Sequence, residues 1–174
     1  MGDLDRPAAP LHVIVSGSGG VDLSLPVFAS GKVQALIVTT TAGAKRLLKQ
    51  TVPDSVEIRA VRQSASANAQ TASANRRVPS AISANAILDE VSRVSRGKLI
   101  LVEGGPHLLG DFYAERLLDE QFLTLAPQIA GRDTGDQRLS LVMGKAFALR
   151  DPLWGKLIDL RRVSSHLFLR YSFP

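Results

Sequence analysis

Three short runs constrain this chain more than any other feature. Ala35-Leu36-Ile37-Val38-Thr39-Thr40 and Lys98-Leu99-Ile100-Leu101-Val102 are apolar on successive residues, and Leu11-His12-Val13-Ile14-Val15 is a shorter run of the same kind. A strand wetted on one face alternates apolar with polar residues, whereas a strand covered on both faces does not have to. The runs therefore predict buried strands of a mostly parallel sheet with helices on its faces.

The intervening residues fit that plan. Thr41 to Gln50 suits a helix with Leu47 and Leu48 inward and Lys45, Arg46 and Lys49 outward, stopped before Pro53. Val56 to Val61 alternates at period two and predicts a strand with one wetter face. Ile87, Val91 and Val94 share a helix face ending in Arg93, Arg96 and Gly97. A helix is expected over 106–118, with Pro106 in its first turn, and a strand over Gln121 to Ala126. Leu157 to Val163 and Leu167 to Phe173 predict two strands joined by a hairpin turn at Ser164-Ser165. The fold class is α/β: a mixed, mostly parallel sheet flanked by helices, with an antiparallel C-terminal hairpin.

Between Ser64 and Ala86, 16 of 23 residues are Ser, Ala or Asn, which leaves little to bury. A mobile insertion over 62–79 is expected there, within one domain spanning 1–174. The formal charge of +5 has the same address. Residues 59–98 carry seven basic groups against two acids, and the rest of the chain is balanced. Aromatic residues do not interleave with that basic stretch, so nucleic-acid binding is not expected.

There is no Cys, which excludes a disulfide framework and a thiolate nucleophile, and His12, His107 and His166 are too scattered for a metal site. No run reaches the roughly 18 apolar residues of a membrane span, and the N-terminus lacks a signal-type apolar core. The expected setting is the cytoplasm.

Glu103-Gly104-Gly105-Pro106-His107 is the pattern richest in chemistry. A strand feeding a helix through two glycines leaves free N–H groups at the helix start and lets a phosphate approach the main chain. The same glycines also suit a tight turn that serves packing alone. Glu103 suits either a carboxylate that accepts hydrogen bonds from a polar substrate or an acid stabilised by the helix dipole. Ser16-Gly17-Ser18-Gly19-Gly20 does not match G-x-G-x-x-G, and a plain loop competes with a ribose-phosphate contact.

Leu99 to Gly110, continued through Leu117-Leu118-Asp119-Glu120 to Pro127, closely resembles the RibD C-terminal family, the pyrimidine reductase domain of riboflavin biosynthesis. Leu11 to Ser16, Leu36 to Thr40 and the close at Leu167 to Tyr171 extend the resemblance. It implies a dihydrofolate-reductase-like fold and NADPH-dependent hydride transfer to a phosphoribosylaminopyrimidine, 5-amino-6-(5-phosphoribosylamino)uracil, or a related heterocycle. It places Gly104, Gly105, Pro106, His107, Leu108 and Leu109 along the NADPH phosphates, Ser16 and Thr39 near the adenosine ribose and its 2′-phosphate, and Glu103 on the substrate. No catalytic residue is assigned.

The family's opening segment, an "SLDG"-like strand, a helix and a further strand with a "GxGT"-like turn, has no counterpart here. The chain is thus expected to be N-terminally incomplete as a domain. It would work as a homodimer or with the missing segment, or as a non-catalytic nucleotide-binding or dimerisation remnant.

Overall fold

The computed structural model describes residues 10–62, 82–129, 140–147 and 152–174, with 131, 133 and 135 between them. The chain forms two compact units, Met1–Ile100 and Leu101–Pro174. The basic and Ser/Ala/Asn-rich insertion expected over 62–79 lies outside the described residues from 63 onward.

In the first unit, β1 (His12–Ser16), β2 (Ala35–Thr40) and β3 (Val56–Val61) make a parallel sheet in the order β1-β2-β3. Ile14 pairs with Ile37 and Ile37 with Ile58, so these three side chains share a face. Every residue of β2 is buried, as its unbroken apolar run predicts. A four-residue helix, α1 (Pro26–Ala29), follows the loop after β1, and α2 (Thr41–Leu47) follows β2 directly. Leu23, Phe28, Ala35, Ile37, Leu47 and Val56 form the core on that side, with Ile14, Val21, Val52 and Ile58 packed against it. The last helix of the unit, α3 (Ala84–Val94), contacts β2, and its Ala84, Ile87 and Val91 are buried. Ser83 caps it, accepting a hydrogen bond from the Ala86 N–H at 3.2 Å.

In the second unit, α4 (Pro106–Ala114) is followed by β4 (Glu120–Leu125), β5 (Lys156–Val163) and β6 (His166–Ser172). The strands are antiparallel in the order β4-β6-β5, with a register shift between Leu157 and Asp159. The expected hairpin is therefore present, turning at Ser164 with φ 53°. Tyr113 of α4 is buried, sits edge-on to Phe173 with ring centroids 5.4 Å apart, and donates its hydroxyl proton to the Gln121 side chain. Burial pushes the Tyr113 phenol above its ordinary pKa.

Three sequence expectations need correction. Lys98–Val102 is not a strand; it is irregular, with Leu99 91%, Ile100 47% and Leu101 75% exposed. The run has the composition of a strand, but a strand exists only where another backbone takes its hydrogen bonds, and no strand among the described residues pairs with it. Helix α4 ends at Ala114 rather than at residue 118, because Arg116 turns into positive φ (54°). Helix α2 stops at Leu47 and Leu48 to Gln50 continue as turn, so Leu47 is buried as expected but Leu48, expected inward, is 65% exposed.

Candidate functional site

The strand ends of the first unit are held by hydroxyls and by glycines. Ser16 and Thr39 are register partners at the carboxyl ends of β1 and β2. The fully buried Thr39 hydroxyl donates to the Ser16 carbonyl at 2.6 Å. The adjacent Thr40 hydroxyl donates to the Gly17 carbonyl at 2.8 Å and accepts from the Gly43 N–H at 3.0 Å, which caps α2. Sequence reasoning named Thr39 but not Thr40, and the two together fasten the β1 loop to the start of α2.

The loop and the helix touch backbone to backbone. A methyl group on Gly43 would lie 2.0 Å from the Thr39 hydroxyl and 2.9 Å from the Gly19 nitrogen, and one on Gly19 would lie 2.3 Å from the Gly43 carbonyl. Gly19 also has φ +63°, a left-handed conformation. The Ser-Gly-Ser-Gly-Gly run is accordingly a close-approach loop between strand and helix.

Beside it lies a cleft of about 480 Å³, open mouth included, lined by Gly19, Gly20, Val21, Asp22, Arg46 and Gln50. Gln50 shapes its floor: the side-chain carbonyl accepts from the Leu23 N–H at 3.1 Å and the amide donates to the Val21 carbonyl at 2.9 Å. Asp22 accepts from both the hydroxyl and the backbone N–H of Ser24, which hold its carboxyl below the ordinary range. In the sequence, Arg46 and Gln50 signal only an outward helix face and a helix end. Their place in a cleft comes from contacts nearly thirty residues apart and has no local signature.

In the second unit, Glu103, Gly104 and Gly105 lead into α4 and all three are exposed. Gly105 is the residue before the helix, with φ −72° and ψ 165°, and Pro106 opens the first turn. The Gly105 carbonyl accepts from Leu109 at 3.2 Å, so the His107 and Leu108 N–H groups lie ahead of the first helical bond. A Cβ on Gly105 would meet nothing within 4 Å, and one on Gly104 would meet only the flexible Leu108 side chain at 2.9 Å. This is an open approach to a helix start. His107 is exposed, and a Cβ on Gly144 would meet its ring at 3.1 Å. The helix itself is anchored by Met143, whose N–H donates to the Pro106 carbonyl at 3.0 Å, and by the Lys145–Asp111 ion pair at 3.0 Å. His12 and His166 are both exposed, on β1 and at the start of β6.

Ser16 and Thr39 thus stand together in the first unit, and Glu103 to Leu109 stand together in the second. No helix among the described residues is long and apolar enough to cross a membrane.

Residues 2–149 match the sequence profile of the RibD C-terminal domain. Comparison with curated proteins gives no match. Among solved structures, the chain is similar to the diaminohydroxyphosphoribosylaminopyrimidine deaminase/5-amino-6-(5-phosphoribosylamino)uracil reductase of Thermotoga maritima, with TM-score 0.65 and 16% identity over 98% of this chain and 40% of that one. It is similar to Acinetobacter baumannii RibD, with TM-score 0.61 and 16% identity over 93% of this chain and 37% of that one. A pyrimidine reductase-like protein of Corynebacterium diphtheriae gives TM-score 0.63 and 18% identity over 95% of this chain and 61% of that one. At these identities the likeness is one of fold, and it matches the mixed α/β architecture expected from the sequence. The chain spans between 37% and 61% of the length of these structures.

Proposed function

Because the chain belongs to the RibD C-terminal domain family, we propose that it is an NADPH-dependent oxidoreductase of riboflavin biosynthesis acting on 5-amino-6-(5-phosphoribosylamino)uracil or a related small heterocycle. The observation that carries the reading is the Gly104-Gly105 turn into α4, where missing side chains and free helix-start N–H groups suit a pyrophosphate. Bound there, NADPH supplies the hydride.

The chain's own residues bind and orient. Gly104, Gly105, Pro106, His107, Leu108 and Leu109 line the phosphates, and the N–H groups of His107 and Leu108 donate to them. In the first unit, the family resemblance assigns a ribose-phosphate contact to Ser16, and Thr39 acts through Ser16, because its own hydroxyl is engaged by the Ser16 carbonyl. Glu103, exposed and next to the glycines, accepts hydrogen bonds from the N–H groups of the heterocycle. Placement of two reactants in this way accounts for catalysis without a protein nucleophile. The reading sets the protein in the cytoplasm, as a homodimer or joined to a further segment of polypeptide.

A fluorescence titration tests it: NADPH binds at least about tenfold tighter than NADH, a difference of about 1.4 kcal/mol. Failure of NADPH to bind in the presence of any completing segment overturns the proposal. The alternative reading is a non-catalytic nucleotide-binding or dimerisation module of the same fold. Pyrimidine-reductase turnover by the 174-residue chain alone excludes that reading.

A further inference from the structure

Strand β5 (Lys156–Val163) is an edge: β6 pairs with one side of it, and no strand among the described residues takes the other. Its outer row of backbone N–H and C=O groups is open to a further strand. Exposure follows the same edge, with Leu160 53% and Val163 62% exposed and Asp159 alone of the strand partly buried.

Charges on an open edge guard it against pairing, and β5 carries Lys156, Asp159, Arg161 and Arg162. A guard of one sign repels every copy of itself. The order here is different. Asp159 and Arg161 share a face, where they form an ion pair at 3.0 Å, while Leu160 between them lies on the other face beside its register partner Leu169. Read in reverse, Asp-Leu-Arg becomes Arg-Leu-Asp, so the segment complements itself in an antiparallel pair. A two-fold axis through Leu160, normal to the sheet, sets Leu160 against its own copy and Asp159 against Arg161 on both sides of the axis.

Other registers lose this match. Two copies keep their sheet faces continuous only when one residue meets its own copy across the axis. Centring on Asp159 opposes two carboxylates, and centring on Arg161 or Arg162 opposes two guanidinium groups, which is destabilising in each case. Val163 adjoins the hairpin turn at Ser164, and the register shift between Leu157 and Asp159 interrupts the other end. Leu160 is the centre that remains.

We propose that β5 is an interaction surface for a second copy of this chain, the two β5 strands pairing antiparallel about Leu160 and joining the β4-β6-β5 sheets of the two copies into one. The occupant follows from the charge order, which is complementary to itself. The inference does not rest on the cofactor reading: a monomeric chain that binds NADPH overturns the inference alone, and a dimer paired in this way that does not bind NADPH overturns that reading alone.

Sedimentation velocity of the 174-residue chain over a dilution series tests the proposal. The expected result is a reversible dimer. Asp159→Arg and Arg161→Asp each put like charges across the axis and weaken association by at least about tenfold. Mixed in equal amounts, the two variants associate with each other at about the affinity of the parent, because two basic positions on one strand then meet two acidic positions on the other. Mixing cannot restore an ion pair within a single strand, so recovery on mixing belongs to the interface. A chain that stays monomeric, a dimer that neither substitution weakens, or weakening that mixing does not reverse overturns the proposal. Hydrogen exchange of the unaltered protein gives a check that needs no variant: outward-facing amides within 158–162 slow by at least about tenfold on concentration. Exchange there that is independent of concentration overturns the proposal.

Discussion

At Gly43 one methyl group separates a packed loop from a broken one. The Cβ of an alanine would overlap the Thr39 hydroxyl and the Gly19 backbone, and neither can retreat: Thr39 is buried and Gly19 is held by its own bond to the Ser16 carbonyl at 3.1 Å. Gly43→Ala should therefore destabilise the protein by about 1–3 kcal/mol in chemical denaturation, the cost of overpacking, despite alanine's better helix propensity. Gly105→Val gives the opposite separation. Its Cβ meets empty space and its backbone is extended, so stability should change by no more than about 0.5 kcal/mol, while on the proposed reading NADPH affinity falls about tenfold as the side chain occupies the approach to the helix start. Equal affinity in the Gly105→Val protein would remove the cofactor from that turn. At this scale the sequence was informative where chemistry is local, as with two glycines before a proline-led helix. It was silent at Gly43, Thr40 and Gln50, whose roles depend on partners brought near by the fold.

Elements were legible in proportion to how completely the chain covers them. The all-apolar run of β2 is buried end to end, and the alternation over Val56–Val61 gives β3 with its stated bounds. The same logic failed at Lys98–Val102, an apolar run with which no strand among the described residues pairs. Across β4 and β6 a different pairing operates. Arg170 donates two hydrogen bonds to the Glu120 carboxylate, at 2.7 and 2.6 Å, and lies over the Phe122 ring at 5.5 Å. The Arg170 side-chain bond holds the Glu120 carboxyl below its usual value of 4.5. A carboxyl whose folded pKa is depressed contributes stability that is complete above the unfolded value and is lost as the pH falls through the folded one. Glu120→Gln should thus flatten the loss of stability on acidification below pH 4.5, with the parent and variant curves converging at low pH in urea denaturation. Screening by solvent keeps the effect small, and curves that stay parallel would show that the pair contributes nothing.

For the molecule as a whole, family and fold class were both readable from one block of sequence, the strand-like run, the glycines and the helix after them, because that block is local and dense in constraint. The division into two compact units was not readable, since contact density is a property of the folded chain. The exposed link between the units has a consequence for handling the protein. A protease cuts where about ten residues of chain can be drawn out without unfolding anything, and chymotrypsin-like enzymes favour large apolar side chains. Leu99 and Leu101 offer both conditions at once, in contrast to the buried leucines of β2 and α2. Brief digestion should nick the link among the first sites, giving fragments that end near residue 100, as read by intact-mass analysis. The stretch that looks in sequence like the most protected part of the protein is in this sense its seam.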